Sequence, residues 1–181
     1  MAERPQQGTT SDAYIVAGTG DAWSADAAGQ GRVGTQRLLR VATVDPPDSV
    51  RSALDLSPGE QVVVRSRLML LDDRPVEIAT SYYPKRIAAG TPLVEPAKIR
   101  GGAVAVLSAS GHAPAEAFEQ VTARRPNAEE IDTLQVDVDE PILVLMRTNV
   151  GADGRPVEHA VNRMVARFSA PIAYRMRIPQ G

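Results

Sequence analysis

The sequence has no cysteine, which excludes disulfides, thiolate metal sites and cysteine nucleophiles together. It holds two histidines, His112 and His159, too few for a multi-histidine metal centre and a poor supply for a histidine-dependent hydrolase. Aromatic residues make up 4% of the chain, short of what a stacking platform for single-stranded nucleic acid needs. A basic excess is missing as well: 20 Lys and Arg stand against 22 Asp and Glu, a formal net charge of −2. Domains that grip nucleic acid through their own surface draw most of their affinity from phosphate contacts, and this composition lacks the charge for it. No run approaches the roughly 20 apolar residues of a membrane span, and the start MAERPQQGTT lacks the basic-then-apolar order of a signal peptide. These absences lead us to expect a soluble cytoplasmic protein with no metal, no cofactor and no contact with a membrane.

What is present suffices for one domain: 181 residues, 43% of them hydrophobic. Residues 1–35 are rich in Gly, Ala, Ser, Thr and Gln without a period of 2 or 3.6, and read as a flexible arm or linker. A short ordered patch is expected near Tyr14-Ile15-Val16 and Trp23. Trp23 reads equally as an anchor docking the arm and as a partly exposed loop side chain. The folded domain is expected over residues 36–178.

Leu38, Val41 and Val44 lie in a β-branched run that predicts a strand ended by Asp45-Pro46-Pro47. A short helix follows from Asp48 to Leu54, with Asp45 or Asp48 as its N-cap. Gln61 to Leu71 and Pro75 to Tyr83, separated by Asp72-Asp73-Arg74, predict a hairpin that Pro84 ends. Ala88 to Gly101 is read as a loop, Gly102 to Ser110 as an apolar helix closed by Gly111, and Ala115 to Arg124 as a strand. Asn127 with Glu130 forms a capping-box pattern opening a helix to Leu134. Pro141–Val150 and Pro156–Val165 flank the turn Gly151-Ala152-Asp153-Gly154, and Tyr174–Ile178 is expected as a last edge strand.

The pattern repeats. Leu54, Glu60 and Arg67 recur as Leu134, Glu140 and Arg147 at one common offset, and Arg74-Pro75-Val76-Glu77 recurs as Arg155-Pro156-Val157-Glu158. Two copies of helix, strand, turn and returning strand predict an α+β fold: an antiparallel sheet with short flanking helices and an internal two-fold repeat.

Strand alternation places Arg65, Arg67, Met69 and Leu71 on one face, with Glu77, Ala79, Ser81 and Tyr83 sharing a face of the returning strand. In the second copy Glu158, Ala160, Asn162 and Met164 group in the same way. An arginine inside an apolar strand must meet a partner, a ligand or water, because burying it unpaired is costly. Arg67 and Glu158 therefore either line an internal pocket for a polar small molecule, form an ion pair at the sheet rim, or face solvent. Glu77 with Glu158 is a candidate carboxylate pair for acid–base chemistry. His159 alternates with Glu158 and faces the other way; His112 is read as a surface cap residue. Asp72, Asp73 and Asp153 are turn formers, and Ser108 and Ser110 lack a nearby base.

The run Ala53-Leu54-Asp55-Leu56-Ser57-Pro58-Gly59-Glu60, then Arg67-Leu68, Asp72, Pro75-Val76 and Ser81-Tyr82-Tyr83-Pro84, resembles the UTRA domain of GntR-type transcriptional regulators of the HutC branch. Arg147-Thr148 and Asp153-Gly154-Arg155-Pro156-Val157-Glu158 continue the resemblance, which covers about residues 36 to 178. It implies a chorismate-lyase-like fold, a homodimer, no enzyme activity, and a site for a small-molecule effector whose binding changes the DNA affinity of attached domains. The effector residues it implies, with their neighbours on the same faces, are Arg67, Met69, Glu77, Ala79, Ser81, Ala103, Glu158, Asn162 and Met164.

Several positions depart from the family pattern. Met69 stands for a second arginine, Ala79 for a glutamate, Gly102-Ala103 for Gly-Ser at the central helix, and Met164 for a tyrosine. These replacements remove phosphate and hydroxyl partners, so the expected effector is less polar than a sugar phosphate: an apolar metabolite with one anionic or carbonyl group on Arg67. The winged helix-turn-helix usual in such regulators has no counterpart in residues 1–35, so no specific DNA binding is expected of this chain by itself. It reads either as a stand-alone sensor or as a fragment of a longer regulator. Two other functions fit the resemblance: a partner that heterodimerises with DNA-binding regulators, and, from the fold alone, a lyase acting on an aromatic acid.

Overall fold

In the computed structural model, residues 22–169 and Ile172 are described. Six antiparallel strands form one sheet in the order β1-β2-β3-β6-β5-β4. The strands are β1 (Gly34–Val44), β2 (Val62–Leu71), β3 (Arg74–Pro84), β4 (Pro114–Arg124), β5 (Ile142–Gly151) and β6 (Pro156–Val165). The helices are α1 (Ala22–Gly29), α2 (Asp48–Ala53), α3 (Lys85–Ala88), α4 (Gly102–Ala109), α5 (Ala128–Leu134) and α6 (Ala166–Ser169), with a 3-10 turn at Pro92–Val94. Strand–helix–strand–strand thus occurs twice, and the two sets meet where β3 pairs with β6. The last edge strand expected at Tyr174–Ile178 lies outside the described residues.

Local chemistry explains the elements. At the β2–β3 hairpin, Leu71 pairs with Arg74 and both Asp72 and Asp73 are left-handed (φ 49° and 62°), the backbone of a two-residue turn whose twist matches the strands. Asp72 also accepts from the Val33 N–H and from Arg32, both at 2.8 Å, so this turn fastens the entry of β1. Those bonds, the Val33 N–H first, hold its carboxyl below the usual range. Asn127 caps α5 in a full capping box, accepting from the Glu130 N–H while Glu130 accepts from the Asn127 N–H. Glu130 itself is buried, and Arg124 closes on it with two 2.7 Å bonds. At α2 the expectation of an aspartate cap is corrected: Pro47 occupies the cap with no side-chain bond, and Asp48 is already the first helical residue. Proline's fixed φ suits the helix entry, and Asp48 still meets the positive end of the helix dipole.

The sheet has two apolar faces. On one, Leu68, Ile78, Ile142, Val144 and Val165 pack with Leu134 of α5; Val50 and Leu54 of α2 pack on Val62. On the other, the face carrying Arg67, one end is closed by Ile87, Leu93 and Leu107 against Val63 and Tyr83. The opposite end is closed by α1, whose Ala27 and Trp23 pack with Met69, Leu71 and Ala79. Among the described residues no helix is long and apolar enough to cross a membrane.

Helix α1 falls in the segment read from composition as a flexible arm. Its eight residues carry almost no apolar periodicity, so no pattern announces it; what holds it is tertiary. Trp23 Nε1 donates to the Leu70 carbonyl at 3.1 Å and Ser24 Oγ to the Gly34 carbonyl at 2.8 Å. Gly34 permits this closeness: a Cβ there would lie 2.8 Å from Ala27 Cβ and 3.0 Å from the Trp23 carbonyl. Gly34→Ala is therefore expected to lever α1 off the sheet at a cost of about 1–3 kcal/mol. Trp23 is the only tryptophan, so a red shift of its emission alongside a lower chemical-denaturation midpoint would report the release directly.

Candidate functional site

Antiparallel register sets four rows of side chains across β2, β3, β6 and β5. The first row runs Met69, Glu77, Met164, Leu143; the second Arg67, Ala79, Asn162, Leu145; the third Arg65, Ser81, Ala160, Arg147. The fourth holds Val63 and Tyr83 on one side and the Glu158–Asn149 pair on the other. Eight of the nine residues expected at the site therefore share this face. The ninth, Ala103, sits on α4 and packs against the cluster containing Tyr83 at the closed end.

Hydrogen bonding separates the charged groups into those that hold the fold and those left open. Arg65 is buried and spends its guanidinium on three carbonyls: Leu93 at 2.9 Å, Glu95 at 2.6 Å and Ala97 at 2.6 Å. It thereby pins the loop after α3 over the end of the sheet. Glu158, also buried, accepts from the Tyr83 hydroxyl at 2.8 Å and from Asn149 Nδ2 at 2.7 Å. Burial, with the Glu158 charge beside it, pushes the Tyr83 phenol far up, so it stays a neutral donor.

Between these anchors three polar atoms are unsatisfied. Arg67 Nε, Arg147 Nε and Asn149 Oδ1 are buried without a hydrogen-bond partner. The Asn149 orientation is set by its amide bond to Glu158, since turning the amide over would point its oxygen at a carboxylate. Arg147 has one long contact, 3.5 Å to Glu119 at the rim. Glu77, facing both arginines, has its carboxyl pushed up to about 7 by burial, which outweighs the opposing pull of Arg67 and Arg147. An orphaned buried donor or acceptor costs about 1–3 kcal/mol; three of them lie on this sheet face, and a fourth, Arg163 Nε, lies on the other. Met69, Met164 and Leu145 supply the apolar surroundings.

Two of the expected arrangements are corrected. No rim ion pair joins Arg67 to Glu158; the Glu158 oxygens are taken by Tyr83 and Asn149. Nor does Arg67 simply face solvent, since its Nε is buried. With both oxygens engaged, Glu158 is a held acceptor and gives the carboxylate-pair reading no geometry. His159 lies on the opposite face, 2.9 Å from the Thr148 hydroxyl, and burial lowers its pKa against the pull of Glu158. Sequence reasoning left out Arg147, Asn149 and Tyr83. Arg147 was within reach: it is the repeat counterpart of Arg67. A separate cavity of about 230 Å³, lined by Arg74, Pro75, Leu134, Gln135, Arg167 and Phe168, includes none of the site residues.

The comparisons agree with this architecture. Residues 29–168 match the family model of the UTRA domain. An uncharacterised HTH-type transcriptional regulator of Streptomyces coelicolor is 34% identical over 129 residues, 70% of this chain and 48% of that protein. Another from Rhizobium meliloti is 28% identical over 135 residues, 74% of this chain and 54% of that protein. The chain spans about half the length of these curated relatives. The crystal structure of the effector domain of PhnF from Mycobacterium smegmatis superposes with a TM-score of 0.71 at 19% identity, covering 89% of this chain and 93% of that one. At that identity the likeness speaks for the fold.

Proposed function

Because this chain belongs to the UTRA domain family, we propose that it is the effector-sensing module of a GntR-type transcriptional regulator, acting in the cytoplasm and not as an enzyme. The observation that carries the reading is the trio of unsatisfied buried atoms, Arg67 Nε, Arg147 Nε and Asn149 Oδ1, on one apolar-walled sheet face. N–H donors on this face suit a carboxylate or carbonyl oxygen, and the Asn149 oxygen suits a hydroxyl or amide donor on the same molecule. Met69, Ala79 and Met164 contribute no hydrogen-bonding groups to the face, which favours a largely apolar body over a sugar phosphate. Ala103, Ser81 and Asn162 complete its surroundings. Binding would act on DNA affinity only if the occupied site favours one arrangement of the attached domains over another.

Thermal-shift and calorimetric titration with aliphatic and aryl hydroxy acids, set against hexosamine phosphates, tests the reading. A hydroxy or keto acid should stabilise the chain by mass action, and Arg67→Met should weaken it about thirtyfold or more, as expected for the loss of a charged hydrogen bond. Tight binding of a hexosamine phosphate would instead overturn the low-polarity effector, while turnover of any ligand would overturn the sensor.

A further inference from the structure

Glu158 and Asn149 stand opposite each other on β6 and β5, in the fourth row of the site. Both are buried. Each oxygen of Glu158 already has a donor, the Tyr83 hydroxyl at 2.8 Å and Asn149 Nδ2 at 2.7 Å. A carboxylate only accepts, so the end of the Asn149 amide that meets it can only be the NH2 group. The other end, Oδ1, is buried without a hydrogen-bond partner. Turning the amide over would replace a charged hydrogen bond by two oxygens in contact, which a buried setting makes costly.

Asn149 lies two residues along β5 from Arg147 and on the same face. The arginines of this face offer donors to the acidic end of a ligand, and Asn149 offers the opposite polarity. A hydroxyl set against Oδ1 completes it. A keto oxygen in the same place would meet another oxygen and leave both unpaired. Sites of this kind discriminate because the wrong partner strands a buried polar atom. We propose that Glu158 is a positioning residue that fixes Asn149 as an acceptor, so that the effector is a hydroxy acid and the keto acid of the same skeleton is rejected. This narrows the sensor reading above and rests on it for the existence of the ligand. Glu158 on this view does not touch the effector and acts through Asn149.

Calorimetric titration of the full chain with matched acids tests this: 2-hydroxyisocaproate against 2-ketoisocaproate, and mandelate against phenylglyoxylate. The hydroxy acid of a pair should bind about tenfold or more tightly, the scale of one buried polar atom left unpaired. Both members carry the same charge, so the ratio cancels any effect of altering charge at the site. Glu158→Gln presents either an oxygen or an amide nitrogen to Asn149, frees that amide to turn, and should bring the ratio to within about threefold of one. Asn149→Leu should do the same. Adding Glu158→Gln to Asn149→Leu should then leave the ratio where Asn149→Leu alone put it. A parent ratio at or below one overturns the inference, and so does a further change in the double variant, which would make Glu158 a direct ligand. Nuclear magnetic resonance of the parent reads the orientation without any ligand: a coupling across the hydrogen bond should join Asn149 Nδ2 to the Glu158 carboxyl carbon. Its absence overturns the inference and leaves the sensor standing if the acids bind. Its presence in a chain that binds neither series overturns the sensor, and with it the effector class drawn here.

Discussion

Arg65→Met is expected to lower the unfolding free energy by about 3 kcal/mol or more, the scale of breaking a buried charged cluster, whereas Arg67→Met, two residues along the same strand face, should change it by less than about 1 kcal/mol. The difference is one of partners. Removing the Arg65 guanidinium strands the carbonyls of Leu93, Glu95 and Ala97, which have folded around it and would then be desolvated without a donor. The covering loop should loosen, and hydrogen exchange should rise across residues 85–101 before the sheet itself opens. Arg67 holds no such assembly. Its buried Nε is already unpaired, so an apolar chain of similar length relieves a cost as well as removing a charge. Chemical denaturation of the two variants, paired with effector titration, separates the roles: Arg65→Met loses stability, and Arg67→Met loses ligand. Equal destabilisation by both would mean that Arg67 is structural.

The second large effect is on pH. In the unfolded chain the Glu77 carboxyl titrates near 4.5, and in the fold burial raises it to about 7 against the attraction of Arg67 and Arg147. Between those values the folded state holds a proton that the unfolded state has released, so stability contributed at Glu77 is full below 4.5, falls as pH rises, and levels off above about 7. The full shift corresponds to roughly 3 kcal/mol; because Glu77 keeps some exposure, about 2 kcal/mol is the expected size. Glu77→Gln should therefore stabilise the chain by that amount at pH 8 and flatten the profile between pH 5 and pH 7. The same substitution should act on the effector. An anion held by Arg67 and Arg147 competes with the Glu77 charge, so its affinity should fall by up to about tenfold per pH unit above neutrality in the parent chain and stay level in Glu77→Gln. A parent profile already flat from pH 5 to pH 8 would show that Glu77 is ionised throughout.

Much of the fold was legible because its causes are local. The Asp72-Asp73 turn, the Asn127–Glu130 capping box, Gly111 closing α4 and the period-two alternation of β2, β3, β5 and β6 each depend on a handful of consecutive residues. Alternation alone put Arg67, Glu77, Ser81 and Glu158 on faces that the structure unites. Helix α1 was not legible, because it is held by a bare glycine and by carbonyls of β1 and β2 rather than by an apolar stripe of its own. The α2 cap was misplaced by three residues' worth of ambiguity in Asp45-Pro46-Pro47-Asp48, where proline geometry and aspartate capping compete.

The sequence by itself determined which residues share a face, where the strands turn, and which chemistries are closed to a chain without cysteine and with two histidines. Only the tertiary structure decided what each charge on that face does. Arg65 and Arg67 are the same residue type in the same strand on the same side, and no periodicity tells them apart. One is met by three carbonyls from a loop some 28 to 32 residues away, and the other is not. Side-chain alternation is a property of the local backbone; the satisfaction of a buried charge depends on which distant segment the folded chain brings to it.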